Sequence, residues 1–123
     1  MIDLQNELTA ISLMAADSKA ASANGTGVDI SDYIGKLKLT LDCEIGTSGD
    51  TLDVKVQDSP DDSTYTDVSG ATFTQVTDAA LAFESIGLDT RAVEKYIRVV
   101  ATIAGSGPVF VFSVSAVGRK QVI

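Results

Sequence analysis

Apolar and polar residues alternate with a period of two along most of this chain, and turn residues interrupt the alternation at short intervals. The clearest strand is 36–45, in which five apolar side chains alternate with five polar ones. Residues 51–68 and 96–114 each carry the alternation on both sides of a run of turn residues, which is typical of a hairpin. One face of such a strand is buried and the other is wet, so the pattern predicts an all-β chain built from antiparallel sheet.

Seven or eight short strands are predicted, with turns between them at regular intervals. We place them at 36–45, 51–57, 64–68, 71–77, 83–88, 96–103 and 109–117. This spacing favours an antiparallel β-sandwich, of the jelly-roll type, over a closed barrel. Strands 36–45 and 51–57 are expected to pair as a hairpin across a turn at 46–50. The side chains predicted to face the core are Leu37, Leu39, Leu41, Cys43, Ile45, Leu52, Val54, Val56, Ile97, Val99, Ala101, Ile103, Phe110, Phe112, Val114 and Ala116.

The first twenty residues follow a different pattern. Leu4, Leu8, Ile11 and Ala15 recur at spacings of three and four, with Asp3 placed to cap a short helix. We treat this segment as an arm, partly helical or extended, that leads into the domain. The chain is therefore divided into an N-terminal arm, residues 1–20, and a β-sandwich domain, residues 21–123.

Length and charge restrict the partners. The chain has 123 residues, enough for one domain that buries a core without disulfide bonds. It carries 17 acidic and 9 basic residues and no histidine, for a net charge of -8. Such a chain repels phosphate backbones and anionic lipid headgroups, so we expect neither nucleic acid nor a membrane surface as a partner.

Targeting signals are not expected. Cys43 is the only cysteine, so no intrachain disulfide can form and nothing indicates an oxidising compartment. Asp3 and Glu7 precede the first lysine, Lys19, so the basic start of a signal peptide is missing. No apolar run approaches the roughly 18 residues that span a bilayer. We expect synthesis in the cytoplasm without export or a membrane anchor.

Four aspartates surround one predicted turn. Asp58, Asp61, Asp62 and Asp67 could supply carboxylate oxygens to calcium, which takes six to eight oxygen ligands. Their spacing lacks the glycine and the distal glutamate of an EF-hand loop, and aspartate, serine and proline are the residues expected in a solvated turn. The turn is the favoured interpretation, and no metal or other cofactor is predicted.

Other candidate groups also favour structural roles. The alternation in 36–45 places Cys43 in the core, and no histidine is present to activate it as a nucleophile. Arg91, Arg98 and Arg119 could bind an anionic ligand, but on so acidic a chain pairing with neighbouring carboxylates is favoured.

Catalysis and sugar binding have weak support in the sequence. Asp42 and Glu44 share the wet face of one strand and do not form a facing acid–base pair, so no enzyme is predicted. Sugar binding by a sandwich would use exposed aromatic rings, and Tyr65 is the best placed of the few available.

These strand and turn sequences resemble a family of small structural proteins of tailed bacteriophages, of the head decoration or cement type. The likeness covers about residues 20–121 and lies in 23–29, 52–68, 73–76, 89–91, 95–103 and 112–118. It implies a jelly-roll domain on the outer capsid surface of a virion, with the major capsid protein as partner and a homo-oligomer, a dimer or trimer, as its assembly. A weaker likeness, in 58–68 and 96–98, is to discoidin-type, galactose-binding-like sandwiches, in which a tryptophan often stands where this chain has Tyr65.

Two segments are the candidate capsid or subunit contacts. The strand at 109–117 begins with apolar residues on both faces, which singles out Val109 and Val111, and the arm offers Leu4, Leu8 and Ile11. The sequence therefore favours a capsid decoration protein. The alternatives are a ligand- or carbohydrate-binding module associated with a tail or fibre, and a tail-tube or head–tail connector component.

Overall fold

The alternating strands build two antiparallel sheets that face each other. The computed structural model describes residues 8–46, 49–77 and 82–120, and within them it contains ten strands and one short 3-10 turn. In chain order these are β1 (Leu8–Lys19), β2 (Ala23–Asn24), β3 (Val28–Asp29), β4 (Tyr33–Ile45), β5 (Thr51–Ser59), β6 (Thr66–Thr72), β7 (Val76–Thr77), β8 (Ala82–Asp89), the 3-10 turn (Thr90–Ala92), β9 (Tyr96–Ala104) and β10 (Phe110–Lys120).

The strand order is that of a jelly roll. Sheet A has the order β1-β10-β4-β8, and sheet B has the order β2-β9-β5-β6, with β3 added to β9 and β7 added to β5. The chain crosses between the sheets after β1, β3, β4, β7, β8 and β9. This arrangement closes a sandwich of a four-stranded and a six-stranded layer, as in double-sheet jelly rolls. The predicted all-β sandwich is confirmed.

The core lies between the two sheets and follows the predicted alternation. Its largest fully buried side chains are Phe110, Phe112, Leu37, Leu39, Leu41, Leu52, Ile97, Val54, Val56, Val99, Val114 and Cys43. Burial of Cys43 agrees with its predicted place in the core. At about 25 cal/mol per Å² of apolar surface removed from water, this layer is the main source of stability.

Pairing between strands departs from the prediction in two places. The hairpin between β5 and β6 forms, with Gln57 opposite Asp67 and Asp58 opposite Thr66. Strands β4 and β5, however, lie in different sheets, as do β9 and β10, so neither pair is a hairpin. The turns predicted between them are connections across the sandwich.

Residues 8–19 belong to sheet A. Strand β1 pairs with β10 from Leu8 opposite Arg119 to Lys19 opposite Phe110, so the helical interpretation of this segment is wrong. Two register shifts, between Ser12 and Met14 and between Met14 and Asp17, interrupt the pairing. Leu4 lies outside the described residues. The boundary that we placed after residue 20 coincides with the end of β1, and a separate binding role for the arm stays a prediction.

Candidate interaction surfaces

The outer faces of the two sheets differ in character. Within the described residues, the exposed large apolar side chains are Leu8, Ile34, Phe83, Val109 and Val117. Four of them lie on strands of sheet A, and Val109 immediately precedes β10. We call the outer face of sheet A the apolar face. A concentration of exposed apolar groups on one face is typical of an interaction surface.

Register defines the layout of the apolar face. At its middle, Ser12, Ser115, Thr40 and Ser85 form a row across all four strands. The Thr40 and Ser85 hydroxyl oxygens are hydrogen-bonded to each other at 3.0 Å. On one side of this row lies the row Ala10, Val117, Lys38 and Gly87, and on the other side the row Ser113, Asp42 and Phe83. The middle row of the face therefore consists of small polar side chains, and the rows on both sides of it contain larger side chains.

Charges on the apolar face are separated along β4. Lys36 and Lys38 precede Thr40 on this face, and Asp42 and Glu44 follow it. Arg119, opposite both Leu8 and Ile34, adds a third cation at the lysine end. Asp89 stands opposite Lys36 at that end, and its carboxylate accepts a 2.9 Å hydrogen bond from the backbone amide of Arg91.

The predicted contact residues do not form one patch. Leu8 lies opposite Arg119 and Ser18 lies opposite Val111, so Leu8 and Val111 are about 26 Å apart along β10 at a rise of about 3.3 Å per residue. Leu8 and Val109 are 38% and 40% exposed, and Val111 is half-buried. Ile11 is also half-buried and packs against the core. Leu8 and Val109 are therefore the best placed of the predicted contact residues to meet another molecule.

Three exposed apolar residues were missed by the sequence reasoning. Phe83, which is 76% exposed, lies on β8 opposite Asp42, and Ile34 and Val117 lie near Leu8. The signal for Phe83 was available. It shares a strand face with Ser85 and Gly87, whereas Ile86 and Leu88 lie on the other face.

The outer face of sheet B carries a polar network. The Arg98 Nε donates to the Gln57 amide oxygen at 2.9 Å, and the Gln57 Nε2 donates to Asp67 at 2.9 Å. The other oxygen of Asp67 accepts from Lys55 Nζ at 3.0 Å. These hydrogen bonds, first from Gln57 and then from Lys55, lower the pKa of Asp67. The network joins β5, β6 and β9, and in it Arg98 binds the amide of Gln57 and not the carboxylate that the sequence predicted.

Tyr65 is part of this network. Its ring lies under Arg98, with the guanidinium carbon 4.1 Å from the ring centroid, and its hydroxyl donates to Asp62. Burial, followed by that hydrogen bond and by the charge of Asp62, raises the pKa of Tyr65 to about 12. A Cβ at Gly27 would overlap both the Tyr65 hydroxyl and the Asp62 carboxylate, so glycine is required for this close approach. Tyr65 thus fastens the 60–65 turn to the segment between β2 and β3.

The aspartates of the turn point to different partners. Asp61 Oδ1 accepts from the Ser63 and Thr64 amides, both at 3.0 Å, and from the Ser59 hydroxyl at 2.9 Å. These bonds, with Thr64 the largest contributor, lower the pKa of Asp61. Asp58 accepts from the Glu94 amide at 3.0 Å. Within the part of the chain that the structure describes, no group of three or more such ligands is arranged to hold a metal.

The described residues also form a groove and a shallow depression. A groove of about 300 Å³ lies where the edges of the two sheets meet, lined by residues 12–15 and 23–26 and by Lys19. It contains no carboxylate, so it offers no acid–base pair. A depression of about 80 Å³ on the apolar face is lined by Ala16, Asp42, Glu44, Val111, Phe112 and Ser113.

Searches for related proteins found likeness at the level of structure only. No family model and no curated protein matches the chain. A chain in the structure of infectious bursal disease virus Gt strain superposes with a TM-score of 0.57 at 12% identity, over 91% of this chain and 33% of that one. For the Gx strain the TM-score is 0.56 at 15% identity, over 93% and 33% of the two chains.

These comparisons establish the fold. The protein spans about a third of the length of the matched viral chains. In the described residues, no helix is both long enough and apolar enough to cross a membrane. The chain thus has a β-sandwich fold that is also present in chains of a virus structure.

Proposed function

We propose that this protein is a bacteriophage capsid decoration, or cement, protein, which binds the outer surface of the head and stabilises it. The observation that supports this most strongly is the jelly-roll sandwich, which nearly all of this chain shares with part of a chain from a virus structure. The strand and turn sequences that resemble phage decoration proteins support the finer assignment.

Charge and surface chemistry agree with a non-enzymatic structural role. A net charge of -8 suits a protein on the outside of a shell better than one that lines packaged nucleic acid. The partner would be the major capsid protein, and the protein would be made in the host cytoplasm before it joins the virion. Binding of an oligomer to several capsid subunits would turn modest contacts into firm attachment.

The capsid contacts would lie at the ends of β10. Leu8 stands at one end and Val109 at the other, both exposed, and Leu4, which is outside the described residues, stays a predicted contact. Deletion of residues 2–16 is not a clean test, because it would remove most of β1 with the buried Leu13 and Met14. Deletion of residues 2–7 removes Leu4 and leaves β1 complete.

Copy number in purified particles tests the proposal. Quantitative mass spectrometry of virions, relative to the major capsid protein, should give a ratio within a few-fold of one. A few copies per particle would contradict decoration in favour of a tail or vertex role, and absence would exclude a virion role altogether.

Substitutions then test the contacts. We expect Leu8→Asp, Val109→Asp and the 2–7 deletion each to reduce occupancy on particles that lack the native protein. Thr72→Asp, on an exposed position of β6 opposite Lys55, is the matched control and should bind normally. Normal occupancy of all three contact variants would contradict the assigned contacts without affecting the copy-number result.

A further inference from the structure

On the apolar face, the charged side chains of β4 are basic on one side of Thr40 and acidic on the other. Two residues before it on β4 stands Lys38, and two residues after it stands Asp42. Within the described residues neither side chain has an ion-pair partner. A rotation by 180° that exchanges the two ends of β4 would therefore place each charge opposite its complement.

We propose that the apolar face binds a second copy of this chain face to face, across a two-fold axis that passes beside Thr40. The axis lies parallel to the sheets and perpendicular to the strands, so β4 runs antiparallel above β4 of the second copy. Such an interface is isologous, because the same patch is used by both copies. The inference goes beyond the proposed function, since it concerns the protein alone. Leu8, on the edge strand β1 and level with Arg119, stands at the rim of this interface, and Val109 lies outside it.

Charge complementarity supports this pairing. Lys38 faces Asp42 of the second copy, and Asp42 faces Lys38, so the central ion pair occurs twice. Further out, Lys36 lies towards Glu44 of the second copy. Opposite charges across an interface fix its register and exclude others, in which like charges would meet.

Shape is complementary under the same rotation. Phe83 and Gly87 lie two residues before and after Ser85, which is level with Thr40. The rotation places the exposed Phe83 ring of each copy above Gly87 of the other, which has no side chain of its own and has only the Lys36 Cδ within 4 Å of where a Cβ would stand. The row at the axis consists of small hydroxyl side chains, so the two faces can approach closely.

In the dimer, a side chain of the second copy fills the depression on the apolar face. It is lined by Asp42, Glu44 and Val111, among others. Val111 and Arg119 lie four residues before and after Ser115, the β10 member of the central row. The Arg119 side chain of the second copy therefore enters a depression that holds two carboxylates.

The available area is that of a modest dimer. Four strands about 4.8 Å apart, over about nine residues at about 3.3 Å each, present roughly 570 Å² per copy. The total of about 1,100 Å² lies just below the roughly 1,200 Å² at which standard interfaces begin. We therefore expect a reversible dimer whose population depends on concentration and falls with added salt.

Charge reversal tests the pairing. Sedimentation equilibrium of the purified protein should give a monomer–dimer equilibrium at low salt. Lys38→Asp and Asp42→Lys should each weaken the dimer by about tenfold or more, because like charges then meet twice. Mixing these two variants should restore association as a heterodimer, and the double variant Lys38→Asp/Asp42→Lys should again form a homodimer.

Steric and control variants complete the experiment. Gly87→Leu should weaken the dimer because it fills the space that Phe83 of the second copy occupies, and Thr72→Asp, on sheet B, should not. Circular dichroism establishes that each variant is folded; if a charge variant is not, the result with Gly87→Leu decides. A wild-type monomer at every concentration, a trimer, or no rescue in the mixture would each overturn the proposal. None of these outcomes bears on copy number in virions.

Discussion

Arg98 lies over the ring of Tyr65, with its guanidinium carbon 4.1 Å from the ring centroid, on the outer face of sheet B. One face of the ring is thereby covered, and its hydroxyl is engaged by Asp62. Sugar-binding sandwiches use exposed aromatic rings for stacking, so this geometry does not favour the carbohydrate-binding alternative. The contact instead holds the 60–65 turn against β9.

Removal of the Tyr65 hydroxyl should change the alkaline behaviour of the protein. Because folding raises the pKa of Tyr65 from 10.0 to about 12, its neutral form contributes stability that is complete below pH 10 and lost as pH rises through 12. Tyr65→Phe should cost about 0.5–1.5 kcal/mol at neutral pH, the usual net value of a hydrogen bond. Its phenolate absorbance titration should lack a step near pH 12 that the native protein has. Loss of a step near pH 10 instead would show that Tyr65 ionises freely.

Loss of the Asp61 carboxylate should destabilise the turn in a pH-dependent way. Because folding lowers its pKa below 3.8, the stabilisation is present above that pH and is lost as pH falls through the folded-state pKa. Asp61→Ala should lower the Tm at pH 7, and the difference from the native protein should narrow in acid. Asp32→Ala, at an exposed position, is the control and should leave the Tm unchanged. A difference in Tm that is constant from pH 7 into strong acid would contradict the role of the carboxylate.

Calcium should not stabilise the protein. Asp58, Asp61 and Asp67 each accept hydrogen bonds from different protein groups, and their carboxylates do not converge. Thermal melting with excess calcium and with a chelator should therefore give the same Tm. A higher Tm in calcium, lost in Asp61→Ala, would establish a site that the turn geometry does not predict.

Alternation in the sequence predicted which side chains are buried, but not how the strands pair. A period of two assigns Leu39 and Val54 to the core regardless of which strands pair with theirs. The short turn at 105–108 was therefore interpreted as a hairpin, whereas it carries the chain from sheet B to sheet A. Pairing in a jelly roll is between strands distant in sequence, such as Thr51 with Ala104, and local patterns do not record it.

The bulges in β1 explain why this strand resembled a helix. A shift of register at Ser12 places both Leu13 and Met14 in the core, although they are consecutive residues. The bulge breaks the period of two, and the remaining apolar positions fall at spacings of three and four.

The candidate interaction surface could be predicted from the sequence only in part, again because the sequence does not record how the strands pair. The apolar residues on both faces at the start of β10 are visible in the sequence. The order of charges about Thr40, however, indicates an interaction surface only once Lys38 and Asp42 are known to lie on the outer face of sheet A.

The structural role of β1 can be separated from any binding role by two leucines on the same strand. Leu13 is 2% exposed and Leu8 is 38% exposed. Leu13→Ala should lower the free energy of unfolding by about 2–5 kcal/mol, because it leaves a cavity in the core. Leu8→Ala should change it by less than about 0.5 kcal/mol, as is usual for surface substitutions. Denaturant unfolding measures both. Equal, small losses would mean that residues 8–19 are held on the sandwich only loosely and act as an arm, whereas the pairing of β1 with β10 predicts that only Leu13→Ala is costly.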